Sequence, residues 1–150
     1  MHLPSFLTTI TLLTTAIAAP SSLQPRSNAW GWTVRDFSRP CADYGEFGPD
    51  QCTYAFKIDY EEGLQPCTII DSPGRYADTH SFYSIPCYEN DNYHISWGYN
   101  STNDFAVMTV VDEKQQLEAF FGYNHPNENE PNASYADVGP NPILNTGVRP

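Results

Sequence analysis

Apolar and polar side chains alternate with a period of two through most of the chain between Trp30 and Tyr123, the pattern of strands with one buried face. Trp30 to Phe37 sets Trp30, Trp32 and Val34 on one side. The clearest strand is Cys52 to Tyr60, where Cys52, Tyr54, Phe56, Ile58 and Tyr60 share one face and Thr53, Ala55, Lys57 and Asp59 the other. Glu61-Glu62-Gly63 supplies a turn, Pro66 to Asp71 a return strand, and Asp71-Ser72-Pro73-Gly74 a further turn. Thr79 to Ile85 carries a weaker strand pattern. Tyr93 to Tyr99 alternates again, and Phe105 to Val111 is apolar on both faces, as a central strand would be. Leu117 to Tyr123 follows a polar turn, so these last three strands read as an antiparallel meander. No stretch shows a capped helical stripe, although Asp112 to Phe121 has room for a turn or more. The pattern predicts an all-β fold, a small antiparallel barrel or sandwich spanning residues 30–123.

The two ends of the chain read differently. Phe6 to Ala18 carries no charge, mixes apolar residues with threonine and ends in Ala16-Ile17-Ala18, an A-x-A cleavage site; residues 1–18 read as a secretory signal peptide. Cleavage after Ala18 is preferred to Ala19, because Pro20 would otherwise follow the scissile bond. The stretch is too short and threonine-rich for a membrane span, which needs roughly 20 apolar residues, and no later segment offers an anchor. Residues 19–29 are small and polar, a flexible leader with a candidate processing site at Arg26. After Tyr123 the chain turns Asn-, Pro- and Glu-rich, and residues 124–150 are expected to be a flexible tail.

Export changes how the cysteines are read. Cys41, Cys52, Cys67 and Cys87 all follow the signal, and an even number in an exported chain points to two disulfides. A zinc site would want close C-x₂₋₄-C pairs, which are absent. Connectivity does not follow from sequence. Cys41–Cys52 with Cys67–Cys87 is preferred among three pairings, and it requires the stretch from Pro40 to Gln51 to fold back on the following strand. Asn100-Ser101-Thr102 and Asn132-Ala133-Ser134 are N-glycosylation sequons, making Asn100 and Asn132 candidate acceptors.

The formal net charge is −11 and falls wholly after residue 18. Such a surface repels phosphate backbones and anionic lipid, which argues against nucleic-acid binding. Solubility is the plain reason for the charge; basic peptides, cations and uncharged glycans remain compatible partners.

Chemistry is sparse. His80, His94 and His125 form no metal-ligand spacing, and His94 alternates with its strand's core face, so it should point outward to solvent. Glu61 and Glu62 lie in a turn beside Gly63 and there usually face water. No nucleophile elbow or phosphate-cradling glycine loop occurs. No cofactor is implied. Small acidic secreted guanyl-specific ribonucleases share the size and cysteine count, and Glu62, Arg75 and His94 would be this chain's counterparts. Those enzymes, however, carry a substantial helix and a different cysteine spacing. Aromatic residues make up 14% of the chain. Most sit on inward faces as core; Trp30 and Tyr83 are left as candidates for sugar stacking.

Trp32-x-Val34-x-x-Phe37-x-Arg39-x-Cys41, then Cys52-x-Tyr54-x-Phe56-x-Ile58, two further cysteines and Phe121-Gly122-Tyr123 resemble fungal small secreted cysteine-rich proteins, nearest to the major Alternaria allergen family and its elicitor-like members. The resemblance spans roughly residues 30–123. It implies a compact β-barrel with two internal bridges and a role as effector, elicitor or allergen at the fungus–host boundary. Dimers of that allergen are joined through an additional cysteine that this chain lacks. The resulting expectation is a secreted, non-enzymatic protein that binds a host extracellular protein or a cell-wall glycan. A small hydrolase such as a ribonuclease and a wall-glycan-binding module are the alternatives.

Overall fold

The computed structural model describes residues 31–61, 63–128 and 132–146. Among the described residues, ten strands form two five-stranded antiparallel sheets. The first holds β1 (Gly31–Gly45), β2 (Gly48–Tyr60) and β3 (Gly63–Asp71), with β8 (Asn132–Ser134) and β9 (Val138–Pro142) both on the free side of β1. The second runs β10 (Leu144–Asn145), β7 (Leu117–Asn124), β6 (Phe105–Asp112), β5 (Tyr93–Asn100), β4 (Phe82–Pro86). One core lies between them, so the all-β antiparallel expectation holds, as does the meander of β5, β6 and β7. The bridges are Cys41–Cys52 and Cys67–Cys87, the preferred pairing.

The expected signal peptide, the expected leader with Arg26, and Trp30 and Glu62 lie outside the described residues. The stretch between Cys41 and Cys52 folds back on the following strand as that pairing requires, but as a strand hairpin rather than a loop. β1 continues to Gly45, a two-residue turn at Glu46-Phe47 follows, and Cys41 stands directly opposite Cys52 in the hairpin register. Adjacent antiparallel strands bring such pairs within disulfide reach without any further folding.

A bulge in β1 resets the alternation. Arg35 pairs with Lys57 but Ser38 with Ala55, which leaves one extra residue, and Asp36 takes the left-handed conformation at φ 51°. Trp32 and Val34 therefore point inward before the bulge, and Phe37, Arg39 and Cys41 after it. The charges beside the bulge hold one another. Lys57 Nζ lies 2.8 Å from Asp36, while Arg35 spans Asp59 (2.6 Å) and Asp137 (3.0 Å). Lys57 keeps the Asp36 carboxyl below its usual range.

The two sides of the sandwich are closed by different means. On one side β9 pairs with β1 and β10 with β7, so residues 138–145 cross from the first sheet to the second. Gly139 permits that crossing. At φ 128° a side chain would be strained, and its Cβ would come within 2.6 Å of the Trp32 carbonyl oxygen. On the other side the edge strands β3 and β4 are joined by Cys67–Cys87, since Cys87 directly follows β4.

The expectation of a flexible tail is corrected for residues 132–146. β8 satisfies backbone groups of Ser38 to Pro40, Ala133 is buried, and the Tyr135 ring stacks on Phe37 with centroids 4.5 Å apart. This segment has too little apolar surface to fold by itself. It is ordered by the edges of β1 and β7 and by a neighbouring aromatic core.

Glu89 clamps the open edge of β3. Its carboxylate accepts from the Thr68 N–H at 2.7 Å and from the Thr68 hydroxyl at 2.6 Å. Partial burial pushes the carboxyl up, but these bonds outweigh that effect and hold it below the ordinary value. A depressed folded-state value means the clamp is complete above the unfolded carboxyl's pKa and is lost as pH falls through the folded one. Hydrogen exchange at the Thr68 amide, corrected for intrinsic rate, should therefore lose protection on acidification below about pH 4. Glu89→Gln should remove that pH dependence; an unchanged profile would contradict the clamp.

Candidate functional site

The second sheet's outer face has a composition unlike a solvated surface. Registers set three rows across it: His94–Val111–Glu118, then Ser96–Thr109–Phe120, then Gly98–Val107–Gly122. The neighbours Ile95, Trp97, Met108, Val110, Ala119 and Phe121 point the other way into the core. The alternation that builds the core thus presents short hydroxyls, valines, two glycines and Phe120 outward, with charge confined to one row.

The Ser81–Ser84 segment, Glu113 and Gln116 from the turn after β6, and Thr146 wall this face into a groove of about 650 Å³. Gly98 leaves its floor open, with nothing within 4 Å of where a Cβ would stand. Phe120 is 44% exposed and Tyr83 87% exposed along the groove. Among the described residues no lysine or arginine lines it. The lining therefore disfavours anionic ligands.

Ser84 shapes one wall. β4 carries an extra residue between Phe82 and Ile85, and Ser84 adopts φ 55° there, a conformation costly for a non-glycine residue. The bulge turns its N–H onto Ser96 Oγ at 2.9 Å and its hydroxyl onto His94 Nδ1 at 2.9 Å. Glu113 Oε1 approaches the same Nδ1 at 3.9 Å.

His94 does point outward, as its alternation predicts, but it is half-buried and bonded within the groove. The other histidines lie elsewhere: His80 pairs with Asp71 and His125 with Asp104, each at 2.8 Å. Arg75 sits exposed in the loop after β3 and does not join His94 in the groove, and Glu61 is an exposed turn residue. Among the described residues no group of three or more His, Cys, Asp or Glu is placed to hold a metal. Tyr83, left open by the sequence, stands at the groove wall. Asn100 is exposed at the end of β5, its side-chain oxygen accepting from the N–H groups of Thr102 and Asn103 at 2.9 and 3.2 Å. Asn132 lies in β8, opposite Pro40.

A family model described as Effector TSP1 matches residues 33–146, nearly the whole described fold. No curated protein matches the chain significantly.

Proposed function

The chain belongs to the Effector TSP1 family, and from that premise we propose that it acts outside the producing cell as a non-enzymatic effector, binding its partner in the groove of the second sheet. One observation carries the choice of binding over catalysis. A serine–histidine–acid relay needs the nucleophile on one ring nitrogen and the orienting acid on the other. Here Ser84 and Glu113 both face Nδ1 of His94, at 2.9 and 3.9 Å. The constellation looks like a relay in composition and lacks its geometry. Two disulfides support an oxidising, extracellular setting. The resemblance to the Alternaria allergen group supports the fungus–host boundary as the place of action.

Purified protein infiltrated into leaf tissue is expected to provoke a defence response. The same preparation is expected to show no turnover of total RNA or wall glycans. Absence of any response would overturn the effector reading. Turnover that disappears in His94→Ala would overturn the non-enzymatic one.

A further inference from the structure

We propose that the groove takes an uncharged oligosaccharide, one sugar ring laid against Phe120 and its hydroxyls bonded to the Ser96–Thr109 row. The inference rests on the groove being the working surface. Charge decides the ligand class. The acidic lining residues, Glu113 and Glu118, sit at one end beside His94, and no cation lines the groove among the described residues. Phosphate, sulfate and uronic acid chains are repelled. A basic peptide would need carboxylates along its path, and the Ser96–Thr109–Phe120 and Gly98–Val107 rows have none.

Those rows offer what a neutral sugar uses. Ser96 Oγ already accepts the Ser84 N–H, so its own hydrogen is left to donate. Thr109 stands beside it, and Phe120 presents an exposed ring to the apolar C–H face of a pyranose. At the acidic end Glu118 and Gln116 provide acceptors for further hydroxyls. Gly98 keeps the floor low enough for a ring to lie flat.

Titration of the isotope-labelled, secreted protein with chitohexaose, laminarihexaose, cellohexaose and, separately, hexalysine tests this by NMR. At least one hexasaccharide should shift the amides of Ser96, Gly98, Thr109 and Phe120, and the one that does identifies the wall polymer. Phe120→Ala and Gly98→Leu should each weaken binding at least about tenfold, with other amides unmoved. Gly98 has ordinary strand geometry and open space, so the leucine blocks the groove without straining the backbone. No shift with any sugar, shifts with hexalysine alone, or undiminished binding by both variants would overturn the proposal. If Gly98→Leu loses the leaf response while no sugar binds, only the glycan inference falls. A full response from Gly98→Leu removes the groove itself as the working surface.

Discussion

Arg39→Ala is expected to destabilise the fold by about 3–5 kcal/mol, the sum of a core cavity and newly orphaned acceptors. Arg39 is fully buried behind the β1 bulge. Its guanidinium lies 5.5 Å from the Trp97 ring centroid and 5.8 Å from that of Tyr54. Its nitrogens donate to the carbonyls of Asp78 (3.2 Å) and Pro126 (3.0 Å) and to the Asn127 side chain. One residue thereby ties β1 to the loop after β3 and to the segment after β7. Burial also pushes the Tyr54 hydroxyl's pKa up, against the opposing pull of Arg39, so the guanidinium faces a neutral phenol. Arg39→Lys keeps the charge but not the planar fork, and should recover only part of the loss. Arg35→Ala, on a side chain 38% exposed, should cost no more than about 1 kcal/mol. Urea unfolding of the three variants checks the ranking. An Arg39→Ala protein within 1 kcal/mol of native would contradict this role.

The second large effect concerns the bridge between the sheets. Replacing Cys67 and Cys87 together by alanine should cost about 3 kcal/mol through the restored freedom of the unfolded chain. Cys41–Cys52 closes a shorter loop, with a separation of 11 residues against 20, and joins strands already paired along the hairpin. Its removal should cost less. Cys67–Cys87 instead joins two edge strands from different sheets. Its loss should also expose the neighbouring bond from Tyr88 N–H to the Thr68 carbonyl to exchange. Urea midpoints and hydrogen exchange on the two double variants test this; a larger loss from the Cys41–Cys52 pair would reverse the account.

Much of the fold was legible because period-two alternation is strong in Cys52–Tyr60, Tyr93–Tyr99 and Leu117–Tyr123, and because Phe105–Val111 is apolar on both faces. The β1 bulge was harder. Its trace is the two-residue gap between Val34 and Phe37, which breaks the alternation at Asp36 without a glycine to mark it. The strands after residue 131 left no local signal, since their order comes from the edges of β1 and β7 and the ring of Phe37, all distant in sequence. The groove was hidden for a related reason. Ser96 and Gly98 read simply as outward positions, Thr109 lies in a strand that reads as apolar on both faces, and only strand register reveals that three such rows adjoin. The alternation of β5 puts His94 on the outer face, but its bond to Ser84 depends on the β4 bulge, which a weak strand pattern cannot disclose.

The outer face of the second sheet stands or falls as the effector's contact surface on the Gly98→Leu protein. Its leaf response should be measured over a dilution series beside the native chain, with urea unfolding run on both. Stability within about 0.5 kcal/mol of native, with at least a tenfold higher dose needed for the same response, is the predicted result. A native dose–response curve from the equally stable Gly98→Leu protein would contradict it.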